Sequence, residues 1–413
     1  MDVSVLVKAT SLENDNMSVV DVAMISKIKV LNKISNDGLD ILRKDNYEVG
    51  EMISDPDAIL LRSSDIHGIK FNSRLKAIGR AGAGVNNIPL DLCTQNGIVV
   101  FNTPGANANA VKELVLLALL LASRNVLDSI DYVKTLKGKG ADIPSLVEKS
   151  KSKFKGYELR GKKLGVIGLG AIGVMVANAA ASLGMNVVGH DPFITVNRAW
   201  GLSRNVKQAT SLNNLLGESD FITMHMPLTA DTRNFFDKMC ISKLKKSALL
   251  LNFSRPEIVS ENDILEGLDN GQFARYVCDF PTEAVLANEK VISIPHLGAS
   301  TAEAEDNCAV MIVEQVRDFL KYGNIINSVN FPNCSMEFSG DYRLAIINKN
   351  VPNMVGQISH IIAESGLNIV EMLNKSRDDY AYNLVDVAGP LDMSIVNKLL
   401  TIEGIISVRS ITG

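Results

Sequence analysis

KLGVIGLGAIGVMVANAAASLGMNVVGHD, from Lys163 to Asp191, is the stretch of sequence that decides the fold. A short apolar run, a GxGxxG turn, an apolar helical segment and a second apolar run follow one another, as is typical of a βαβ unit. In such a unit Gly168 permits the tight turn, Gly170 lets the backbone approach a pyrophosphate, and Gly173 lets the helix pack on the strand. Because free N–H groups at a helix start favour phosphate, the stretch predicts a dinucleotide site.

Asp191 directly follows the second apolar run, and its carboxylate affects which dinucleotide can bind. A carboxylate at the end of this strand can accept hydrogen bonds from the ribose hydroxyls and would repel a 2′-phosphate. The residue therefore favours NAD over NADP. A plain glycine turn without a ligand is the alternative, but the preceding strand, the following helix and the terminal acid all occur together here.

Composition excludes several other classes of protein. The 413 residues are 46% apolar and 21% charged with a formal net charge of −4, which gives no field to attract nucleic acid or a membrane surface. The five scattered cysteines include no CxxC pair, which indicates reduced thiols. The histidines at 67, 190, 225 and 360 lack metal-ligand spacing. No apolar run has transmembrane length, and residues 1–25 read as an extension rather than a signal peptide. We therefore expect a cytoplasmic enzyme without a metal.

Strand-like and helix-like segments alternate along the chain. Before the glycine turn, apolar runs predict a small parallel α/β layer, with strands within 27–34, 47–52, 58–61, 75–78 and 98–101. After it, further runs predict a doubly wound sheet, with strands at 221–226, 248–253, 276–279 and 291–294. Between these regions, residues 110–131 read as one long buried helix, and the lysine-rich segment 134–155 reads as a solvated arm or loop.

Two polar clusters in the first layer stand where strands are expected to end. They are Arg62-Ser63-Ser64 and the segment from Gly82 to Asn87, which includes Ala83 and Gly84. Ligands of open α/β sheets collect at the carboxyl ends of strands, so both clusters are candidates for substrate binding. A solvated surface charge and a simple glycine turn are the alternatives for these residues.

Three strand ends in the second sheet carry residues able to do chemistry. Arg255, Glu283 and His296 follow separate predicted strands, whose carboxyl ends open onto one cleft. An imidazole can take the proton of a hydroxyl as hydride leaves the carbon, a carboxylate can fix its tautomer, and an arginine can clamp a substrate carboxylate. The set suits hydride transfer from a hydroxy acid. Each residue alone could be structural: a core histidine, a surface ion pair or a solvated acid.

Several motifs together resemble the D-2-hydroxyacid dehydrogenase family. They are GYELRGKKLGVIGLGAIG, HMPLTADTRNFF, LLLNFSRPEIV and IPHLGASTAEAEDN. Within that family, GRAGAGVNNIPLD, NTPGANANAVKEL, DFPTE and the C-terminal segment are similar to the phosphoglycerate dehydrogenase branch. The resemblance covers about residues 26–413. It implies NAD-dependent oxidation of D-3-phosphoglycerate to 3-phosphohydroxypyruvate, the first step of phosphorylated serine biosynthesis, by a cytoplasmic homodimer or homotetramer.

The resemblance also implies roles for individual residues. His296 is expected to be the acid/base, Glu283 its partner and Arg255 the substrate clamp. Substrate contacts are expected at Arg62, Ser63, Gly82, Ala83, Gly84 and Asn107. Cofactor contacts are expected at Gly168, Gly170, Ala171, Ile172, Gly173, Asp191, Pro227, Thr232, Ser254, Asp279 and Gly298. Two positions depart from the family pattern: Pro256 follows the arginine in place of glycine, and Cys278 stands where aspartate is usual, with Asp279 next.

The implied architecture has three parts. A Rossmann-type doubly wound parallel sheet, residues 105–297, is inserted in a smaller flavodoxin-like α/β substrate domain, residues 26–104 and 298–330. Residues 340–413 read as a βαββαβ unit resembling the ACT regulatory domain. Amino-acid effector contacts would fall at Asn348, Asn350 and Asn368, although the family's usual histidine is Asn348 here and its usual glycine is Asn353.

Two other functions are compatible with the same residues. One is reduction of another 2-oxo acid, such as 2-oxoglutarate, glyoxylate or hydroxypyruvate, because Arg62 has few neighbouring cations in the sequence to recognise a phosphate. The other is a non-catalytic NAD-sensing module on the same fold, against which the complete set of His296, Glu283 and Arg255 argues. Turnover of a panel of hydroxy acids distinguishes the three.

Overall fold

The computed structural model describes residues 26–389 and 394–412. The expected N-terminal extension, residues 1–25, lies outside the described residues. The first sheet is parallel, has five strands and has the strand order β2-β1-β3-β4-β5 of flavodoxin-like folds. Its elements are β1 (Lys27–Val30), α1 (Asn36–Lys44), β2 (Glu48–Gly50), β3 (Ala58–Leu61), β4 (Ala77–Arg80), α2 (Leu90–Gln95) and β5 (Val99–Phe101).

The connection between the two parallel sheets differs from the sequence prediction. The expected single helix over 110–131 is two helices, α3 (Ala108–Arg124) and α4 (Val126–Thr135), separated by Asn125 in the left-handed region with φ 47°. Asparagine tolerates this conformation, so it ends one helix and begins the next. The prediction of a loop over 134–155 was also wrong in part, because it contains α5 (Ile143–Ser150) between two short 3₁₀ turns.

The second sheet has seven parallel strands in the order β12-β11-β10-β9-β6-β7-β8, so the strand order reverses at β6 as in doubly wound nucleotide-binding folds. The stretch from Lys163 to Asp191 forms the first βαβ unit of this sheet: β6 (Lys163–Ile167), α6 (Ala171–Ser182) and β7 (Asn186–His190). The others are α7 (Val196–Trp200), β8 (Lys207–Gln208), α8 (Leu212–Glu218), β9 (Phe221–Met224), α9 (Lys238–Ile241), β10 (Leu249–Asn252), α10 (Glu261–Asp269), β11 (Arg275–Cys278), α11 (Glu283–Leu286) and β12 (Val291–Ser293).

After β12 the chain returns to the first sheet through α12 (Ala302–Tyr322), which packs against α1 and β4. Thr301 caps the start of this helix by accepting the N–H of Ala304, and Gly323 ends it with φ 74°. Buried residues of α12, including Ile312 and Phe319, join one face of the first sheet in a single apolar core. The helix therefore runs from the inter-sheet cleft to the C-terminal unit.

The C-terminal unit is the predicted βαββαβ arrangement. Its antiparallel sheet has the order β14-β15-β13-β16, and two helices cover one face. The elements are β13 (Tyr342–Lys349), α13 (Met354–Glu364), β14 (Asn368–Arg377), β15 (Tyr380–Ala388), α14 (Ser394–Leu400) and β16 (Ile405–Thr412). The other face packs Ile347, Leu384 and Ile411 into the core that contains α12 and the first sheet.

Candidate active site

A cleft of about 1850 Å³ opens where the carboxyl ends of the two parallel sheets face one another. Most of the residues that the sequence singled out line it: Arg62, Gly82, Ala83, Gly84, Asn107, Gly170, Ala171, Ile172, Pro227, Ser254, Arg255, Asp279, His296 and Gly298. Within the described residues, six other catalytic, cofactor or substrate candidates are not among those lining the cleft: Ser63, Gly168, Gly173, Asp191, Thr232 and Glu283.

The glycine turn is closed towards the sheet and open towards the cleft. Gly168 has φ 88°, and a Cβ on Gly173 would lie 1.9 Å from the Gly168 carbonyl oxygen. By contrast, a Cβ on Gly170 would meet nothing within 4 Å. Gly170 is the N-cap of α6, and the first N–H groups of a helix have no partner within the helix. The open space at Gly170 together with these N–H groups fits the pyrophosphate of a dinucleotide.

Asp191 supports the glycine turn directly. Its Oδ2 accepts the Leu169 N–H at 2.7 Å and its Oδ1 accepts the Phe193 N–H at 2.9 Å. Each carboxylate oxygen has a second lone pair, so these bonds leave capacity for ribose hydroxyls. On the other side of the turn, Thr232 Oγ1 donates to the Pro227 carbonyl at 2.7 Å and shapes the loop after β9. Asp191 and Thr232, both predicted cofactor contacts, therefore also stabilise backbone loops through side-chain hydrogen bonds.

Three consecutive strand ends form the wall that carries the chemistry. Arg255, Asp279 and His296 follow β10, β11 and β12, and all three line the cleft. The His296 N–H donates to the Asp279 carbonyl at 3.0 Å, and the imidazole packs edge-on against Phe280 with ring centroids 5.3 Å apart. Arg255 Nη1 donates to the Ser254 carbonyl at 2.7 Å. A base, a carboxylate and a cation are thus brought together by the sheet.

The facing wall supplies two more guanidinium groups, one of which the sequence reasoning missed. Arg62 forms an ion pair with Glu305 at 2.6 Å, and Arg80 Nε donates to the Arg62 carbonyl at 3.0 Å. Burial lowers the pKa of Arg80, and the charges of Arg255 and Arg62 act in the same direction. Arg255 Nη2 would lie 3.3 Å from a Cβ on Gly84, so the two walls come close at this point. The cleft therefore concentrates positive charge for an anionic ligand.

Two asparagines outside the predicted site hold the loops of this wall. Asn32 Oδ1 accepts the backbone N–H groups of Arg62–Ser64 at 2.8–3.2 Å. Asn102 Nδ2 donates to the Ala83 carbonyl at 2.6 Å. Only the position of each asparagine just beyond a strand could have indicated this role.

Glu283, the predicted partner of His296, belongs to a short helix. It is exposed at the first position of α11, whose cap is formed by Thr282, and Thr282 in turn donates to Glu261 at 3.0 Å. Burial raises the pKa of the Asp279 carboxyl, which lines the cleft, and the charge of His296 acts to lower it. The pairing of Glu283 with His296 stays a prediction.

The predicted effector residues lie in the C-terminal unit. Asn348 is 1% exposed, and its Oδ1 accepts from Asn383 Nδ2 at 2.7 Å. Asn350 Nδ2 donates to the Asp378 carbonyl at 3.1 Å, and Asn368 is exposed at the start of β14. The buried amide of Asn348 is thus already partnered within the unit.

Comparisons with known proteins agree with this geometry. Residues 116–299 match the family described as D-isomer specific 2-hydroxyacid dehydrogenase, NAD binding domain. A D-3-phosphoglycerate dehydrogenase of Haemophilus influenzae is 32% identical over 401 residues, covering 93% of this chain and 94% of that protein. One from Methanocaldococcus jannaschii is 33% identical over 368 residues, covering 84% of this chain and 67% of that protein.

A solved structure shows the same arrangement of the parallel sheets. The NAD⁺-bound 3-phosphoglycerate dehydrogenase of Entamoeba histolytica has a TM-score of 0.59 and 29% identity, covering 74% of this chain and 99% of that one. With the fold, the glycine turn and the three strand ends in place, the chain belongs to the D-isomer-specific 2-hydroxyacid dehydrogenases and carries that family's NAD-binding domain.

Proposed function

We propose that the protein is an NAD-dependent D-3-phosphoglycerate dehydrogenase that oxidises the C2 hydroxyl to give 3-phosphohydroxypyruvate. The observation that carries the proposal is the cluster of Arg62, Arg80 and Arg255 in the cleft that His296 also lines. A substrate with a carboxylate and a phosphate needs more than one cation, and guanidinium groups bind both anions in a bidentate manner. The names of the relatives with the same architecture support this choice over a non-phosphorylated substrate.

The side chains around the cleft have separate tasks in the reaction. NAD, when bound at the Gly170 turn, accepts the hydride. His296 takes the proton of the C2 hydroxyl as a general base, which places positive charge on its imidazole. Arg255 binds the substrate carboxylate and holds the reacting carbon near His296. Arg80 and Arg62 remain to bind the phosphate from the facing wall.

NADH formation over a panel of hydroxy acids tests the assignment. The purified protein is given NAD with 3-phosphoglycerate, 2-hydroxyglutarate, glycerate or lactate, and initial rates are compared at matched concentrations. The highest kcat/KM is expected for 3-phosphoglycerate. Preference for 2-hydroxyglutarate would assign the enzyme to another 2-oxo acid instead. Absence of turnover with all four, in protein that still binds NADH, would favour the sensing module.

We further propose that the enzyme works as a homodimer or homotetramer in the cytoplasm. Helices α3 and α4 expose a group of large apolar side chains: Leu117, Leu120, Leu127, Ile130 and Val133. A second copy of the chain could cover them, since apolar patches of this kind mark association surfaces. The five cysteines are unpaired, which suits a reducing compartment. No helix among the described residues has both the length and the apolarity needed to span a membrane.

Domain boundaries and regulation complete the proposal. We infer a substrate-binding domain of residues 26–104 and 298–330, an inserted NAD-binding domain of residues 105–297, and an ACT-like domain of residues 340–413. The last could bind an amino-acid effector near Asn350 and Asn368, both of which are exposed. Initial rates measured with increasing serine test this role, and rates unaffected by saturating serine would exclude serine as the effector.

A further inference from the structure

We propose that Arg377, in the C-terminal unit, is a positioning residue of the substrate cleft. It acts on the substrate loop, residues 82–84, through the linker segment, residues 327–330, which lies along the end of β5. The inference deepens the proposed function and rests on it, because it concerns substrate binding in the same cleft. It gives the C-terminal unit a direct part in substrate affinity.

Arg377 brings the C-terminal unit to the cleft. It is the last residue of β14, and within the described part of that unit it is the residue that lines the cleft. Its Nη1 donates to the Ser328 carbonyl at 3.3 Å. The side chain is 47% exposed and Asp378 Oδ2 lies 4.0 Å from its Nε, so water and the neighbouring carboxylate both weaken its field. The hydrogen bond to Ser328 is therefore the contact through which Arg377 acts.

The turn that carries Arg377 is held on two sides. On one side, the Asn350 N–H donates to the Asp379 carbonyl at 2.8 Å, and Asn350 Nδ2 donates to the carbonyl of the preceding residue at 3.1 Å. On the other, Tyr380, which pairs with Arg377 across the hairpin, packs edge-on against the buried Phe331 with ring centroids 6.1 Å apart. Because the turn is already ordered by these contacts, Arg377 loses little further backbone entropy when it binds Ser328.

The linker segment continues the first sheet beyond β5. The Val329 N–H donates to the Val100 carbonyl at 2.9 Å, and Asn330 Oδ1 accepts the Val100 N–H at 2.8 Å. Ser328 forms an antiparallel bridge with Phe101, the last residue of β5. Since β5 is an edge strand of its sheet, these contacts pair backbone groups that the strand would otherwise leave open. The position of the linker segment therefore determines where the chain leaves β5.

The residues just after β5 connect the linker segment to the substrate loop. The Asn102 N–H donates to the Asn327 carbonyl at 3.5 Å, and Asn102 Nδ2 donates to the Ala83 carbonyl at 2.6 Å. The Thr103 N–H donates to the Gly82 carbonyl at 3.2 Å. All three residues of the substrate loop line the cleft. A continuous series of hydrogen bonds thus runs from the guanidinium of the C-terminal unit to the loop expected to contact the substrate.

The kinetic test compares Arg377→Met with the matched control Lys375→Met. Both cations belong to the described part of β14 and lie on the same face of the strand, but only Arg377 lines the cleft. Arg377→Met should raise the KM for 3-phosphoglycerate by about threefold to tenfold, the effect of losing one hydrogen bond. The kcat and the KM for NAD should stay within about twofold. Arg377→Lys, which keeps a donor, should restore most of the affinity.

Two kinetic results would overturn the proposal. One is an unchanged KM for 3-phosphoglycerate in Arg377→Met. The other is an equal rise of that KM in Lys375→Met, which would show a general effect of charge on the surface of the C-terminal unit. Arg377 is exposed at a turn, so its variants should melt close to the temperature of the unmodified protein, and thermal melting checks this.

Hydrogen–deuterium exchange separates this inference from the proposed substrate, because it does not depend on turnover. The full chain is compared with its variants by mass spectrometry in the presence of NADH. In Arg377→Met the amides of the linker segment and of the substrate loop should exchange faster, and in Lys375→Met they should not. Faster exchange confined to residues 377–380 would contradict the positioning role. If 3-phosphoglycerate is not a substrate, the exchange result still decides the role of Arg377.

Discussion

At the scale of single residues, function depends on an imidazole held at a strand end and on arginines from two walls. His296 is exposed at the mouth of the cleft, and only its backbone and one ring edge are held by neighbours. Its ring is therefore free to meet a substrate hydroxyl. Arg255, Arg80 and Arg62 line the same cleft, and the charges of Arg255 and Arg62 act on Arg80.

Replacement of the imidazole tests its part in proton transfer. His296→Ala should lower kcat by at least about a hundredfold, because general acid–base catalysis contributes about 10²–10⁴-fold. The KM for NAD should change little, since the cofactor site lies at the glycine turn. Steady-state kinetics with 3-phosphoglycerate measure both quantities. Turnover close to that of the unmodified protein would exclude His296 as the base.

Arg80 is expected to contribute to substrate affinity more than to the chemical step. Arg80→Gln should raise the KM for 3-phosphoglycerate by about tenfold or more, since a charge-assisted hydrogen bond contributes about 1.5–3 kcal/mol. KM for unphosphorylated glycerate should rise less. Arg124→Gln, at the exposed end of α3, is the matched control. Equal effects of Arg80→Gln on the two substrates would contradict a role in phosphate binding.

The sequence could predict a site residue where a chemically capable side chain stands just after a predicted strand. His296 and Arg255 follow short apolar strands, and both line the cleft. Arg80 was missed because it is the last residue of β4 rather than part of the polar loop that follows. Glu283 was assigned by its motif, but α11 begins at that residue and presents it to solvent. Motif spacing predicts which residues share a site, but it does not show how a helix start orients each side chain.

At the scale of elements, two glycines in the turn between β6 and α6 are needed for different reasons. Gly173 is needed for packing, because a Cβ there would collide with the Gly168 carbonyl. Gly170 is needed for access, because its Cβ would enter open space in front of the helix. The same small residue is thus required for different physical reasons at positions three residues apart.

A pair of identical substitutions distinguishes these tasks. Gly170→Ala should leave the melting temperature nearly unchanged and weaken NAD binding, because the added methyl occupies the approach of the pyrophosphate. Gly173→Ala should destabilise the fold by about 1–3 kcal/mol through overpacking, whether or not NAD is present. Thermal melting and NADH fluorescence titration measure the two effects. Equal losses of stability in both variants would show that Gly170 is also a packing residue.

Elements with a strong apolar period could be predicted from sequence, and those that depend on one backbone conformation could not. The strand at Ala58–Leu61 has the expected bounds, and the C-terminal unit has the expected order of elements. The break between α3 and α4 rests on Asn125 alone, and nothing in the apolar pattern of that segment marks a left-handed residue. Similarly, α5 lies in a lysine-rich segment whose few apolar residues gave no clear period.

At the scale of the whole molecule, the C-terminal unit donates hydrogen bonds to carbonyl groups at the end of α12. Arg409 donates to the carbonyls of Phe319 and Leu320 at 3.0 Å, and its guanidinium lies 4.6 Å from the Phe319 ring centroid. Tyr382 donates its hydroxyl to the Gly323 carbonyl at 2.6 Å. Cations and donors at a helix C-terminus satisfy carbonyls that have no partner within the helix. The unit and the first sheet therefore share one core and are joined through one helix end.

Arg343 and Asp386 are the buried ion pair at this junction. Both are 0% exposed and their closest contact is 2.6 Å, while Arg343 Nη1 also donates to the Tyr322 carbonyl at 2.9 Å. Burial raises the pKa of Asp386, but the hydrogen bonds from Arg343 and Ser339 outweigh it and leave the pKa lowered. The pair therefore stabilises the fold fully above the unfolded pKa of about 3.9, and this contribution is lost as the pH falls below that value.

Breaking the pair should destabilise the whole molecule rather than the C-terminal unit alone. Arg343→Met leaves Asp386 buried without its cation and should reduce the free energy of unfolding by about 3–5 kcal/mol at pH 7. The double variant Arg343→Met with Asp386→Leu should recover much of this loss, because no charge is then left uncompensated. Urea unfolding monitored by circular dichroism, at pH 7 and near pH 3, measures both effects. The difference between the unmodified protein and Arg343→Met should shrink at the lower pH, because the unmodified protein loses the stabilisation from its ionised Asp386 as the pH falls towards the lowered pKa of that carboxyl. A separate early transition for residues 340–412, with the rest unchanged, would show instead that the C-terminal unit folds independently of the shared core.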